Sequence, residues 1–164
     1  MSHTEHETAG RSLTAHCLVI TCSDTRTAET DTSGAFIRSA LEQAGHFVVG
    51  PVIVPDEPEH IRAAITGHAV DFILITGGTG LAPRDTTWDT LHGLYESTIP
   101  GFGELFRMLS YDEIGPAAML SRASAGRLGR TVIFSMPGSR AAVRLAMERI
   151  IIPQMGHISG LLEP

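Results

Sequence analysis

The chain has 164 residues, of which 43% are hydrophobic and 18% are charged, and its formal net charge is −6. This composition is typical of a folded globular domain, and the negative charge argues against electrostatic binding of nucleic acid. All 12 basic residues are arginine, and the lack of lysine excludes a Walker A phosphate loop and Schiff-base chemistry.

The two ends of the sequence differ in character. Residues 1–12 are polar and are predicted to be a flexible tail, whereas residues 13–164 are predicted to form one α/β domain. The sequence contains no apolar run that is typical of a signal peptide or a membrane span, so we expect a cytoplasmic protein without a membrane partner. Cys17 and Cys22 lie about 16 Å apart on opposite faces of one predicted strand, which predicts two free thiols.

The first half of the chain alternates predicted strands and helices. The strands are continuous apolar runs, at His16–Thr21, Phe47–Val54 and Phe72–Ile75. Such runs are typical of parallel strands that are buried on both faces. A helix follows Asp31 and ends at Gly45, and a second helix begins at Pro58. This order predicts a three-layer, doubly wound, mostly parallel sheet with helices on both faces.

The second half is less regular. Thr86-Thr87-Trp88-Asp89 resembles a capping box for a short helix through Tyr95, which Pro100-Gly101 ends. An apolar stripe at helical spacing then indicates either core packing or contact with another subunit. Its members are Phe102, Leu105, Phe106 and Leu109. The remaining predicted elements are a helix over Ile114–Arg122, a minor strand over Ser124–Leu128, a strand over Thr131–Phe134, a helix from Arg140 and a helix after Pro153.

The loop after the third predicted strand is the strongest functional signal. It reads Thr76, Gly77, Gly78, Thr79 and Gly80, with Arg84 and Asp85 following. Glycines allow a positive φ and a close approach of ligand to backbone, and successive N–H groups can bind an anion. Ligands of open α/β sheets bind at the carboxyl ends of the strands. The loop is therefore predicted to bind a ligand.

Three other segments follow predicted strands. The residues Ser135, Met136, Pro137, Gly138 and Ser139 form a second strand-to-helix turn. Taken alone this turn is an ordinary helix cap. Ser23 and Asp24 form either a ligand loop or a hydroxyl-rich turn, and Asp56 is either a ligand residue or a turn aspartate. Asp85 belongs either to the ligand loop or to a cap of the helix near Thr87.

The run from Ile73 to Asp85 resembles the signature of the molybdenum cofactor biosynthesis family that includes MogA, MoaB and the gephyrin G domain. The resemblance extends over most of the chain after Leu13, through Thr21–Thr27, Asp31–Gly34, Val54–Glu57, Pro100–Glu104 and Met136–Ser139. The stretch from Gly101 to Arg122 is more similar to MoaB than to MogA. The resemblance implies an α/β fold, trimers or dimers of trimers, and adenylylation of molybdopterin with Mg²⁺ and ATP.

By this resemblance, Asp56 and Asp85 are the catalytic residues and the ligands of Mg²⁺. The loops containing Ser23 and Asp24, residues 76–80 and residues 135–139 are then expected to bind molybdopterin and nucleotide, with Arg84 or Arg140 as further phosphate contacts. One alternative is a catalytically silent molybdopterin carrier that interacts with other molybdenum-cofactor enzymes. A second alternative is hydrolysis of nucleotide pyrophosphates, as the glycine loop is similar to that of CinA-like proteins.

Overall fold

A computed structural model describes residues 14–162, which form a single six-stranded sheet. The strands are β1 (His16–Cys22), β2 (Phe47–Val54), β3 (Phe72–Thr76), β4 (Ser97–Thr98), β5 (Ser124–Leu128) and β6 (Thr131–Met136). Their order across the sheet is β2-β1-β3-β6-β5-β4. Neighbours among β2, β1, β3 and β6 are parallel, whereas β5 is antiparallel to both β6 and β4. The predicted mostly parallel sheet is confirmed; the predicted tail, residues 1–12, lies outside the described residues.

The helices connect these strands and continue to the end of the described chain. They are α1 (Thr32–Gln43), α2 (Pro58–Ile65), α3 (Thr87–His92), α4 (Pro100–Ile114), α5 (Arg140–Ala146) and α6 (Ile152–Leu162). The helix predicted over Ile114–Arg122 is shorter than expected and is not an α-helix. Gly115, with a φ of +64°, ends α4, and Gly115–Leu120 is a 3₁₀ helix instead. A π-helical segment, Met147–Ile151, joins α5 to α6 without a break, so Pro153, which was expected to precede the last helix, lies inside a continuous helical run.

Helices cover both faces of the sheet. One face packs against α1, α4, α5 and α6, with Ile37 and Phe106 among its buried residues, and the other packs against α2 and α3 through Ile61 and Leu91. Cys17 belongs to the first core and Cys22 to the second, and both are free thiols, as predicted. The three-layer architecture is therefore confirmed.

The apolar stripe on α4 divides between core and surface. Phe102 and Phe106 are buried, and the Phe102 ring meets that of Phe134 edge-on, with 5.1 Å between centroids. Leu105 is 47% exposed. The core interpretation therefore holds for the two phenylalanines, and Leu105 lies on the surface of the described chain.

The prediction that the second strand is buried on both faces is wrong, because β2 lies at the edge of the sheet. Phe47 is 64% exposed and Val49 is 55% exposed. A continuous apolar run specifies a strand, but the position of a strand in a sheet depends on which neighbours pair with it.

The connections place the candidate site. The chain leaves β1 through α1 to reach β2 on one side, and then crosses the other face through α2 to reach β3 on the opposite side of β1. The direction of winding therefore reverses between β1 and β3, and such switch points leave a crevice outside the carboxyl ends of the strands. Within residues 14–162, no helix is both long and apolar enough to cross a bilayer.

Candidate functional site

The loops that follow the four parallel strands meet at one edge of the sheet. Ser23 and Asp24 follow β1, Asp56 follows β2, the glycine loop follows β3, and residues 137–139 follow β6. The structure therefore brings together every segment that sequence analysis assigns to the site.

Gly77 allows the ends of β1, β3 and β6 to approach one another. Its φ is +97°, and a Cβ atom at this position would overlap the carbonyl oxygen of Cys22. The Gly77 N–H donates a hydrogen bond of 3.0 Å to the Met136 carbonyl, and the Thr76 hydroxyl donates one of 3.2 Å to the Pro137 carbonyl. Only glycine fits here, since both the backbone conformation and the space exclude a side chain.

A polar cavity of about 260 Å³ lies in the crevice between these strand ends. Its lining residues are Thr21, Cys22, Ser23, Arg26, Asp31, Ser33, Thr76, Gly77, Gly138 and Ser139. Asp31 is buried, accepts a hydrogen bond of 2.6 Å from the Thr21 hydroxyl, and caps α1 by accepting one of 2.8 Å from the Gly34 N–H. The Ser33 hydroxyl donates to the Gly138 carbonyl at 2.8 Å and so joins α1 to the loop after β6.

Asp31 and Ser33 were not among the predicted binding residues, although both lie in the Asp31–Gly34 segment that carries the family resemblance. The sequence analysis places Asp31 directly before a helix. The structure confirms that position, and the Asp31 carboxylate both caps this helix and lines the cavity.

Beside this cavity, Asp56 is the centre of a group of carboxylates. Its N–H donates to Asp24 at 3.1 Å, and its Oδ1 accepts from the N–H and the hydroxyl of Thr86, each at 3.3 Å. Burial raises the pKa of Asp56, and repulsion from Asp85 and Asp24 adds to this effect, although the Thr86 hydrogen bonds oppose it. The site therefore holds negative charge that a cation would stabilise.

The glycine loop lies directly against these carboxylates. A Cβ atom on Gly78 would come 2.6 Å from Asp56 Oδ1, and one on Gly80 would come 2.7 Å from Asp85 Oδ2. A ligand that binds the loop backbone is therefore also next to both carboxylates.

The Asp85 side chain folds back onto the glycine loop, of which Asp85 is the last residue. Its Oδ2 accepts a hydrogen bond of 2.8 Å from the Ala82 N–H. The alternative in which Asp85 caps the next helix is wrong, as is the predicted capping box, because within the described residues no side chain caps α3. The Thr86 hydroxyl instead donates to the Asp56 carbonyl at 3.2 Å.

The two arginines that were predicted to contact phosphate are paired with protein groups. Arg84 donates to Asp24 Oδ2 from Nη2 at 2.6 Å and from Nε at 3.1 Å, and this contact lowers the pKa of Asp24. Arg140 lies over the Phe36 ring at 4.7 Å and donates to the Thr32 carbonyl at 3.5 Å.

Several predicted binding residues have side chains that are buried in the protein. These are Thr76, Thr79, Ser135 and Met136. Ser135 and Met136 belong to β6 itself, opposite Ile75 and Thr76 of β3. Residues of this kind can offer a ligand mainly their backbone atoms, whereas Ser139 lies at the exposed start of α5, where its hydroxyl accepts from the Ala142 N–H at 3.2 Å.

The carboxylates of this site suit Mg²⁺ better than a metal ion that is coordinated only by protein side chains. Within residues 14–162, no group of three or more His, Cys, Asp and Glu side chains is arranged to hold a metal ion. Mg²⁺ commonly takes one or two protein carboxylates and completes its shell with substrate phosphates and water. Asp56 and Asp85 can supply two such carboxylates.

The fold and this site define an α/β domain with a crevice at the switch point of its sheet, where a glycine loop and carboxylates meet. The chain belongs to the family of molybdenum cofactor biosynthesis proteins: residues 18–157 match the family model described as "Probable molybdopterin binding domain". This family is the one that the sequence motifs indicated.

Individual relatives give the same result. The chain is 48% identical to molybdenum cofactor biosynthesis protein B of Bacillus cereus over 164 residues, which cover 97% of this chain and 96% of the relative. It is 45% identical to the protein of the same name from Escherichia coli, over 84% of this chain and 83% of that one.

Solved structures confirm the fold. The crystal structure of a molybdenum cofactor biosynthesis protein B superposes with a TM-score of 0.87 at 49% identity, covering 92% of this chain and 96% of that one. The tungsten cofactor synthesizing protein MoaB from Pyrococcus furiosus gives a TM-score of 0.81 at 36% identity, over 88% and 94% of the two chains. A MogA structure gives a TM-score of 0.81 at 30% identity, over 90% and 99%.

Proposed function

We propose that this protein catalyses the Mg²⁺- and ATP-dependent adenylylation of molybdopterin. In this reaction a phosphate oxygen of molybdopterin attacks the α-phosphorus of ATP, the bond from that phosphorus to the bridging oxygen breaks, and pyrophosphate leaves. The observation that carries the proposal is the position of Asp56 and Asp85 against the backbone of Gly78 and Gly80, at the switch point of the sheet.

Adenylyl transfer depends mainly on positioning the reactants and on neutralising charge on phosphoryl oxygens. Asp56 and Asp85 would hold Mg²⁺, which would neutralise part of the charge of the triphosphate. Burial, and to a smaller extent repulsion from Asp85 and Asp24, raises the pKa of Asp56, and a divalent cation bound beside these carboxylates would relieve that repulsion.

The backbone of the two strand-to-helix loops would orient the substrates. Gly77 and Gly138 both line the cavity, and a Cβ atom on Gly138 would lie 3.5 Å from the Gly77 Cα, so the two loops present backbone to the same space. These loops, with Ser23 and Ser139, would bind molybdopterin and nucleotide. Such a site would neutralise triphosphate without lysine, through the metal that Asp56 and Asp85 would hold and through backbone N–H groups.

The family resemblance also supports a homo-oligomer, either a trimer or a dimer of trimers, and contact with other molybdenum-cofactor enzymes. We expect these partners for this chain, together with a cytoplasmic location.

The proposal is tested by incubating the purified protein with molybdopterin, ATP and Mg²⁺ and measuring adenylylated molybdopterin by mass spectrometry. We expect the product with the native chain, little or none with Asp85→Asn, and the native amount with Asp112→Asn, which removes an exposed carboxylate of α4. Tight molybdopterin binding without the product would support the carrier function instead. Hydrolysis of ADP-ribose without any need for molybdopterin would support a nucleotide pyrophosphatase.

A further inference from the structure

Arg122 contacts both ends of the segment that carries Asp85. Its guanidinium donates from Nε to the Gly80 carbonyl at 2.9 Å and from Nη2 to the Asp85 carbonyl at 2.8 Å. The side chain is only 23% exposed, so these bonds are partly shielded from water. One planar group therefore holds the two ends of residues 80–85 at a fixed separation.

The contacts of Arg122 extend to either side of that segment. Its backbone N–H donates to the Thr79 carbonyl at 3.0 Å, and its Nη1 pairs with the Asp89 carboxylate on α3 at 3.1 Å. The guanidinium carbon also lies 5.3 Å from the centre of the Trp88 ring, within the range of a cation–π contact. The loop before Asp85 and the helix after it are thus held by the same side chain.

Arg122 is itself held by the core. Arg107 on α4 donates to the carbonyl oxygens of Ser121 and Ala123, at 3.2 and 3.4 Å, on either side of Arg122. Gly103 on α4 lets this segment come close, because a Cβ atom there would lie 2.6 Å from the Ala123 carbonyl oxygen. The glycine loop is therefore connected through Arg122 to a helix of the main core.

We infer that Arg122 is a positioning residue, which fixes the glycine loop so that Asp85 faces the substrates beside Asp56. The catalytic part of this inference depends on the proposed adenylylation, whereas the effect on the loop does not. Arg122 does not itself contact the reacting atoms. Lysine cannot replace it, since a single ammonium group cannot direct three nitrogen donors in one plane toward Gly80, Asp85 and Asp89.

Amide hydrogen exchange of the free protein, measured by mass spectrometry, tests the structural part. In Arg122→Lys we expect exchange in peptides covering residues 79–86 to rise about tenfold or more, with β1 and β3 unchanged. The matched control is Arg127→Lys on β5, where the native arginine pairs with Glu96 at 3.2 Å, and we expect native exchange in the glycine loop. Unchanged exchange in the loop of a folded Arg122→Lys protein would overturn the inference.

Steady-state kinetics test the catalytic part. A misplaced catalytic group can lower the rate by about 100-fold, so for Arg122→Lys we expect kcat to fall by about 10- to 100-fold while KM for molybdopterin stays within about threefold. A loop that exchanges faster without a loss of kcat would overturn the positioning role. If the native chain forms no adenylylated molybdopterin, the proposed function fails, and loop exchange alone then decides whether Arg122 fixes the loop.

If Arg122→Lys does not fold, Asp89→Ala provides the test, because it removes the carboxylate that accepts from Arg122 Nη1 at an exposed position and leaves the contacts to Gly80 and Asp85 in place. We expect a smaller rise in loop exchange in the same peptides. Native exchange in this variant would contradict the coupling between α3 and the loop.

Discussion

Gly77 offers a direct test of how closely the strand ends at the site must approach. We expect Gly77→Ala to destabilise the protein more than Gly45→Ala does. The two glycines have nearly the same φ, +97° and +90°, but a Cβ atom on Gly77 would overlap the Cys22 carbonyl oxygen, whereas a Cβ atom on Gly45 would have no heavy atom within 4 Å. The φ angles are thus matched, and the difference in stability reports mainly the close approach.

The expected losses in free energy of unfolding follow from the positive φ at both glycines and from the steric overlap at Gly77. A side chain in the left-handed region costs about 1–2 kcal/mol, and this is the whole expected cost for Gly45→Ala. Overpacking adds about 1–3 kcal/mol, so Gly77→Ala should lose about 2–5 kcal/mol in total. For a chain of this length, each kcal/mol lowers the melting temperature by about 2–4 °C.

Urea unfolding followed by circular dichroism, at one fixed protomer concentration, measures both free energies of unfolding. Equal losses in the two variants would refute the reasoning, because the strand ends would then have room for a methyl group.

Three further predictions concern other residues of the site. Burial raises the pKa of Asp56 above its ordinary value of 3.8, so ionisation of Asp56 destabilises the fold. This destabilisation is absent below pH 3.8 and reaches its full size above the raised pKa. Thermal melts should therefore show Asp56→Asn to be more stable than the native chain at pH 7, with the difference in melting temperature closing toward pH 3; a difference that does not change with pH would contradict this. Burial also raises the pKa of both Cys17 and Cys22 to about 12, so neither thiol should react with iodoacetamide at pH 8 until urea unfolds the chain, and rapid labelling of folded protein would show that the thiols are accessible. Ser33→Ala should lose about 1 kcal/mol, as expected for a hydrogen bond, with Ser39→Ala on the exposed side of α1 as the control; equal stability of the two variants would mean that the bond from Ser33 to Gly138 contributes nothing.

The parts of the fold that could be predicted from sequence are those with local signals. Strands β1, β3 and β6 are apolar runs that end at polar or glycine-rich turns, and α1 begins at a residue with a capping side chain. The position of β2 at the edge could not be predicted in this way, since its apolar run looks the same whether a strand pairs on one side or on both. The 3₁₀ helix after Ile114 has a local cause in Gly115 and Pro116 that the predicted helix did not take into account.

The candidate site shows the same division. The glycine loop and the aspartates at strand ends are visible in sequence because parallel strands bring their carboxyl ends to one edge. Arg122 was not identified, because it lies 37 residues from Asp85 and its partners in the loop are backbone carbonyl groups, which every residue possesses. Likewise, nothing local indicates that Arg84 pairs with Asp24, 60 residues away. Contacts of this kind depend on the tertiary fold.

The central claim is that this site transfers the adenylyl group of ATP to molybdopterin. It is tested most directly by supplying ATP labelled at the α-phosphate with molybdopterin and Mg²⁺, separating the products by chromatography, and counting the label in the pterin fraction. We expect one label for each molybdopterin consumed, one pyrophosphate released with it, and no transfer when Mg²⁺ is removed by a chelator. Label that stays in ATP, or that appears only as free AMP while molybdopterin is unchanged, would contradict it.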